Sequence, residues 1–256
     1  MTVGDALPLA SAARFSGLAG LYDRFRPSYP ADALQMILGG LGPEPAVLDV
    51  GAGTGISTAA LVAAGARAIA LEPNDEMRAV ALAKNLDARA GSAIATALPS
   101  ASVDLVTAFQ AFHWFASAQA LAEFRRVLRP GGRLAIVWNE RDRTDPFSLD
   151  FRAIEERYGE RSMLAGIDFS DESLPQLLHD AGFGAPREGS FAHFQELDAE
   201  GVAGRIRSTS YAPRTGPLLD ALLLEIRALY ERYAGAEGTV KLRYRTDVIT
   251  RDAAHA

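Results

Sequence analysis

The chain has 256 residues, 48% of them hydrophobic, so it can bury a large core as one domain with additions or as two small domains. It contains no cysteine, which excludes disulfides, thiolate metal sites and cysteine nucleophiles. Its net charge of −6 is spread along the chain, which argues against a surface for nucleic acid or anionic membranes. The first 13 residues lack a basic start, and no apolar run approaches the roughly 18 residues of a membrane span, so we expect a soluble cytoplasmic protein.

Predicted helices and strands alternate up to residue 140. Helices are predicted at 31–40, 56–66, 75–86 and 117–132, and strands at 45–53, 67–74, 88–93, 102–112 and 133–140. Short connections between alternating elements indicate a parallel sheet in an α/β fold.

The pattern loosens after residue 140. Helices are predicted at 145–158, at 171–181 and through most of 198–234, and alternating segments at 187–198 and 239–250 indicate two late strands. These strands are expected at the sheet edge, one of them antiparallel. The helical segment between them then forms an insertion, which we interpret as a lid over the strand ends.

The segment "VLDVGAGTG", residues 47–55, runs from the first predicted strand, which carries Asp49, into a loop of alternating glycines. Its three glycines remove side chains where ligands of open parallel sheets bind, and the next helix points free N–H groups at the loop. Glu72 ends the second strand, where a carboxylate can accept hydrogen bonds from both ribose hydroxyls. A ribose-bearing ligand is therefore predicted. A dinucleotide site favours a loop one residue longer, whereas S-adenosylmethionine has a ribose but no phosphate, and a tight turn without a ligand is the third alternative.

Five segments together resemble the class I S-adenosylmethionine-dependent methyltransferases, closest to the small-molecule branch with trans-aconitate and ubiquinone/menaquinone-type methyltransferases. They are "VLDVGAGTG", "ALEPNDEM", "GSAIATALPSASVDLV", "QAFHWF" and "RRVLRPGGRLAIVWNERD". The resemblance covers residues 14–140. It implies a doubly wound, mostly parallel seven-stranded sheet of order 3-2-1-4-5-7-6, in a single domain over 1–256. Residues 14–140 would form the cofactor-binding core, and 141–256 the late strands with a helical lid insertion between the last two.

The resemblance also implies contacts with S-adenosylmethionine. The glycine loop should line the methionine end, Glu72 should hold the ribose, and the "FSGLAGLYDRFRPSYP" segment should bring a tyrosine and an arginine to the methionine carboxylate. The residues that we expect at the cofactor are Tyr22, Arg26, Asp49, Gly51, Ala52, Gly53, Glu72, Pro73, Met77, Ser92, Ala93 and Gln110.

Methyl transfer mainly requires alignment of nucleophile, methyl and sulfur, and a base is needed only for a protonated acceptor. His113 is the candidate catalytic residue, either as that base or as a residue that packs over the cofactor, and we favour packing. Trp114, Trp138 and Tyr211 are candidate substrate contacts, with core packing as the alternative for the tryptophans. Arg141 or Arg143 could pair with an anionic acceptor, although loop arginines are more often solvated. Asn139, Glu140 and Asp142 have oxygen ligands that suit Mg²⁺, but Gln110 replaces a second carboxylate, so we expect no metal.

Three other functions compete with small-molecule methyl transfer. A nicotinamide-dependent oxidoreductase is disfavoured by the short loop and by the absence of a Tyr-x-x-x-Lys pair, since Lys84 and Lys241 are the only lysines. A nucleic-acid methyltransferase is disfavoured because "FQAF" is not an Asn/Asp-Pro-Pro-aromatic motif. A noncatalytic S-adenosylmethionine-binding protein stays open, as does the acceptor atom, which can be O, N or C.

Overall fold

A mixed sheet organises the part of the chain that the computed structural model describes, residues 16–159 and 173–254. Residues 1–13, for which we expect no signal peptide, and the first residues of the predicted helix 171–181 lie outside the described residues. The sheet has the order β3-β2-β1-β4-β5-β7-β6, which confirms the predicted order. Strands β1 to β5 are parallel, and β7 runs antiparallel to both β5 and β6. The strands are β1 (Ala46–Val50), β2 (Arg67–Leu71), β3 (Asp87–Arg89), β4 (Val103–Phe109), β5 (Leu128–Arg141), β6 (Arg187–Leu197) and β7 (Val240–Asp252).

Four of the described α-helices begin at a residue whose side chain accepts a hydrogen bond from a free backbone N–H group. Asn74 Oδ1 accepts from Met77 N at 2.9 Å, Asp145 Oδ2 from Ser148 N at 2.9 Å, and Asp198 Oδ1 from Gly201 N at 2.7 Å. A 3₁₀ turn covers Phe112–Trp114. The described α-helices are α1 (Ala19–Phe25), α2 (Ala31–Leu38), α3 (Ile56–Ala63), α4 (Asp75–Ala83), α5 (Ala118–Val127), α6 (Pro146–Tyr158), α7 (Ser173–Asp180), α8 (Ala199–Arg207) and α9 (Pro217–Tyr233).

Some predicted boundaries are wrong for local reasons. The predicted helix 117–132 ends at Val127 rather than at Pro130–Gly132, which lie inside β5, because Leu128 already pairs with Val103. Strand β3 stops at Arg89, and the chain then turns through a bridge between Ser92 and Ala95. The predicted helical segment 198–234 is two helices, separated near Gly216, whose φ of +81° is incompatible with a continuous helix.

The core occupies both faces of the sheet. Leu48 and Val50 of β1 belong to an apolar cluster on one face, and Val47 belongs to the cluster on the other face. A strand buried on both faces explains the continuous apolar run that precedes the glycine loop. A third cluster joins α6, α8 and α9 to Val240 and Leu242 of β7. In the described part of the chain, no helix is long and apolar enough to span a bilayer.

Candidate functional site

The glycine loop leaves β1 in a conformation that side chains would obstruct. Gly51 N and Ala52 N donate to Leu71 O at 2.9 Å and 3.2 Å, which ties the loop to the end of β2. Gly51 has a φ of +70°, and a Cβ atom there would lie 2.7 Å from Ala111 Cβ. Gly55 has a φ of +78°, and its Cβ would lie 2.4 Å from Leu86 Cδ1. Glycine is therefore required at both positions, and the loop presents bare backbone to the sheet edge.

Asp49 supports this loop from beneath. Its carboxylate is 0% exposed and accepts hydrogen bonds from Ser57 Oγ at 2.6 Å, Thr58 Oγ1 at 2.7 Å and Thr107 Oγ1 at 2.8 Å. Burial raises the pKa of Asp49, and the three hydroxyls oppose that shift. The carboxylate thus bonds to α3 and β4 and does not line the cavity described below, so its contact with the cofactor stays a prediction.

Glu72 closes the other side of the loop. Its Oε2 accepts from Gly53 N at 2.8 Å, and its Oε1 accepts from Asn74 N at 2.8 Å. The side chain is 7% exposed, and burial raises its pKa although the two N–H groups oppose the shift. The carboxylate is thus held in one orientation, with lone pairs left for a further donor.

A cavity lies at the carboxyl ends of β1, β2 and β4, and together with its mouth, which is open to solvent, it comprises about 830 Å³. Most of the residues predicted for the cofactor line it, together with Trp114 from the substrate set. The predicted residues on its wall are Tyr22, Gly51, Gly53, Glu72, Pro73, Met77, Ser92, Ala93, Gln110 and Trp114. Sequence reasoning missed Phe109, Ile94 and Phe115, although Phe115 is part of the quoted "QAFHWF" motif.

Gln110 turns the chain out of β4 with a φ of +54°, a left-handed conformation that costs a non-glycine residue about 1–3 kcal/mol. Its N–H donates to Val137 O at 2.9 Å, and its Nε2 donates to Asn139 O at 2.9 Å. These two bonds to β5 hold the strained turn. They also connect the cavity wall to the end of β5.

His113 packs between two tryptophans. Its ring centroid lies 4.3 Å from that of Trp114 and 4.9 Å from that of Trp138. Burial lowers the pKa of His113 to about 4, so the imidazole is neutral at neutral pH, and its buried Nδ1 has no hydrogen-bond partner. Neither His113 nor Trp138 lies on the cavity wall.

The other predicted residues do not line the cavity; they are Arg26, Ala52 and Tyr211. Arg26 places its guanidinium 4.8 Å from the ring centroid of Tyr22, and its Nη2 donates to Ser208 O at 3.3 Å. Tyr211 donates from its hydroxyl to Glu155 Oε1 at 3.0 Å. The structure thus brings Tyr211 toward Arg26, in a second polar region next to the cavity.

Arg141 does not follow the expectation of a solvated loop arginine, whereas Arg143 is exposed. The Arg141 guanidinium pairs with the buried Glu155 carboxylate, and the Arg141 side chain is 17% exposed.

The Asn139 side chain, considered above as a metal ligand, is hydrogen-bonded within the protein. Its Nδ2 donates to Ser28 O at 3.1 Å, and its Oδ1 accepts from Thr246 Oγ1 at 2.6 Å. Within residues 16–159 and 173–254, no three His, Asp or Glu side chains are grouped as metal ligands would be.

Comparisons with known proteins point in one direction. A family model described as a methyltransferase domain matches residues 48–136. An uncharacterized methyltransferase of Mycobacterium tuberculosis is 45% identical over 130 residues, which cover 50% of this chain and 53% of that protein, about half of each. An uncharacterized methyltransferase-like protein of Schizosaccharomyces pombe is 35% identical over 195 residues, covering 74% of this chain and 75% of that protein. The crystal structure of the YcgJ protein of Bacillus subtilis matches with a TM-score of 0.55 at 16% identity, covers 89% of this chain and 100% of that chain, and supports the fold.

Proposed function

The chain belongs to the class I S-adenosylmethionine-dependent methyltransferases, and from this premise we propose that it transfers a methyl group from S-adenosylmethionine to a nucleophilic O, N or C atom of a small molecule. The relatives are methyltransferases, so neither a nicotinamide-dependent oxidoreductase nor a noncatalytic binder is favoured. We further propose that residues 1–256 act as one domain in the cytoplasm and without nucleic acid, in keeping with the net charge of −6.

One observation carries the proposal: the side-chain-free glycine loop and the fixed Glu72 carboxylate border the same cavity. The cavity fits S-adenosylmethionine, because Gly51 adds no side chain to its wall and because Glu72 borders it with lone pairs that Gly53 N and Asn74 N do not use. In this proposal Glu72 accepts from the ribose hydroxyls, and Gly51 and Gly53 lie against the methionine end. The apolar surfaces of Pro73 and Met77, with Ser92, Ala93 and Ile94 opposite, surround the adenine.

The residues of the chain mainly align the acceptor atom with the methyl group and the sulfur atom of the cofactor. When bound, S-adenosylmethionine supplies the methyl group from a sulfonium, whose sulfur is a good leaving group. Trp114 and Phe115 on the cavity wall exclude water and restrict the approach of the acceptor. Correct alignment alone can lower the barrier by several kcal/mol. His113 is a poor base at neutral pH, since its pKa is about 4, and it instead positions Trp114 by packing against it.

Helices α1 and α8 form the proposed cover of the site. Helix α1 carries Tyr22 to the cavity wall, and its Phe25 ring packs so closely on α8 that a Cβ at Gly204 would lie 2.4 Å from it. Arg24 of α1 also pairs with Glu200 of α8 at 2.9 Å. We propose that the two helices move together when the cofactor and the acceptor enter.

Calorimetric titration tests this function. We expect S-adenosylmethionine and S-adenosylhomocysteine both to bind, because they share the adenine, ribose and amino-acid groups that the proposal assigns to the cavity wall, and NAD not to compete with either. Tight binding of NAD with no response to the two nucleosides would contradict the proposal.

A further inference from the structure

Three arginines converge beside the cavity, and we call them the arginine cluster: Arg26 at the end of α1, Arg141 at the end of β5, and Arg205 on α8. Arg141 pairs with Glu155, Arg205 Nε donates to the Tyr244 hydroxyl at 3.0 Å, and Arg26 Nη2 donates to Ser208 O at 3.3 Å. Glu155 and Arg205 are 2% and 3% exposed. Each member comes from a different element, so tertiary folding alone brings them together.

The positive charges of the cluster exceed the negative charges around it. Among the residues that the structure describes, Glu155 is the one carboxylate paired with the cluster, which leaves an excess of two positive charges. Burial lowers the pKa of Arg26, and the nearby charge of Arg205 lowers it further. An unpaired buried charge is costly, and proteins retain one mainly where something compensates it.

The guanidinium groups also have unused donors. Arg205 Nη1 and Arg26 Nε are buried and have no hydrogen-bond partner. Tyr211 and Tyr244 add hydroxyl groups close to the same arginines. A set of fixed, unsatisfied N–H donors with excess positive charge matches the oxygens of a carboxylate or a phosphate.

The cluster adjoins the reacting end of the proposed cofactor site. Arg26 lies against Tyr22, which lines the cavity. On the other side, the cavity residue Gln110 is bonded to Asn139, two residues before Arg141 in β5. An acceptor anchored at the cluster would therefore extend toward the methionine end of the cavity.

We propose that the arginine cluster binds an oxyanion of the methyl acceptor, a carboxylate or a phosphate, so that the substrates of this enzyme are small acids. The inference rests on the proposed methyl transfer, which supplies the acceptor. Arg26 is also predicted to reach the cofactor carboxylate. If Arg26 does so, the two positive charges of Arg141 and Arg205 still exceed the single negative charge of Glu155. The test therefore uses a substitution of Arg205.

The experiment measures anion binding directly. Succinate and inorganic phosphate are titrated calorimetrically into the protein, with and without S-adenosylhomocysteine, and dimethyl succinate serves as the uncharged control. We expect at least one anion to bind and the diester not to bind. In Arg205→Met the affinity for that anion should fall about 10-fold or more, because charge-assisted hydrogen bonds are lost. The affinity for S-adenosylhomocysteine should stay within about 3-fold.

The matched control is Arg207→Met, an exposed arginine on the same helix, which should bind the anion like the wild type. Thermal unfolding of the free protein is a second readout: Arg205→Met should unfold within a few degrees of the wild type, because methionine keeps most of the buried aliphatic volume and the substitution removes one hydrogen bond, to the Tyr244 hydroxyl. A marked fall in its unfolding temperature would assign Arg205 a structural role and overturn the proposal.

The outcomes separate this inference from the proposed function. Binding of S-adenosylhomocysteine without binding of either anion to the wild type overturns the anion site and leaves methyl transfer standing. Failure of S-adenosylhomocysteine to bind contradicts the proposed methyl transfer. The anion titrations performed without S-adenosylhomocysteine still test the anion site in that case. A preference for succinate assigns a carboxylate acceptor, and a preference for phosphate assigns a phosphorylated one.

Discussion

At the scale of single residues, the site depends on groups whose surroundings decide what they can do. Three motif acids and bases have three different surroundings. Asp49 is saturated by hydroxyls, Glu72 keeps lone pairs toward the cavity, and His113 is enclosed by indole rings. Sequence spacing identified all three, but only the fold separates Asp49, which supports the loop, from Glu72, which borders the cavity. The reason is that the partners of Asp49 include Thr107, on a strand distant in sequence.

His113 should make the protein sensitive to acid. Its pKa is about 4 in the folded state and 6.5 without burial, so between these values the unfolded chain binds a proton that the folded chain does not. Stability contributed by the neutral imidazole is therefore present above pH 6.5 and lost as the pH falls. We expect His113→Gln to gain about 2 kcal/mol relative to the wild type between pH 7.5 and pH 5.

Urea unfolding of both proteins at the two pH values measures this difference. His179→Gln, at a histidine whose side chain is 76% exposed, serves as the control and should show no such gain. A constant difference between His113→Gln and the wild type at both pH values would mean that the imidazole titrates normally in the folded protein.

Glu72→Ala should weaken cofactor binding more than it weakens the fold. A charge-assisted hydrogen bond to a ribose contributes roughly 1.5–3 kcal/mol, equivalent to about a 10- to 150-fold change in Kd for S-adenosylhomocysteine. The fold should lose only about 1 kcal/mol, because Gly53 borders the open cavity and its freed N–H group can be hydrated there.

Calorimetry and urea unfolding give the two quantities for Glu72→Ala. Glu188→Ala, at an exposed carboxylate on β6, should change neither quantity. Unchanged affinity in a folded Glu72→Ala protein would mean that the ribose lies elsewhere.

At the scale of elements, the contact between α1 and α8 determines where Tyr22 and Arg26 lie. Both residues belong to one short helical segment, and Phe25 anchors it on α8 at Gly204. Hydrophobic periodicity predicts the helical segment that contains α8, but it does not predict that α1 packs against α8. The two helices are far apart in sequence, and no local sequence pattern marks Gly204 as the position against which the Phe25 ring packs.

Gly204→Ala should loosen this contact. The added Cβ would lie 2.4 Å from the Phe25 ring, and such overpacking typically costs about 1–3 kcal/mol. Because α1 carries Tyr22 to the cavity, we also expect weaker binding of S-adenosylhomocysteine. Urea unfolding and calorimetry measure the two effects.

Gly20→Ala provides the matched control, since Gly20 lies in α1 with open space around its Cβ position. It should stabilise the helix by about 0.5–1 kcal/mol and leave binding intact. Equal stability and affinity in Gly204→Ala and the wild type would show that α1 and α8 are not coupled.

At the scale of the whole molecule, the alternation of strands and helices predicts the parallel strands β1 to β5, because the connections between them are short and local. The placement of β7 between β5 and β6 came from the family resemblance, since nothing in local periodicity selects a neighbour. The arginine cluster was the least predictable feature. Arg141 was identified as a possible anion contact, but its pairing with Glu155 and its proximity to Arg205 depend on how α6 and α8 pack on the sheet.

The insertion of β7 also has a consequence for how the protein is made. About a hundred residues separate the end of β5 from the start of β7. At synthesis rates of about 5–20 residues per second, the hydrogen-bonding edge of β5 has no strand partner for roughly 5–20 s while the ribosome synthesises the residues that lead to β7. An unpaired strand edge invites pairing with other nascent chains. The part of the molecule that carries the glycine loop is thus synthesised early, but the edge of β5 is protected from pairing with other chains only after β7 has been synthesised.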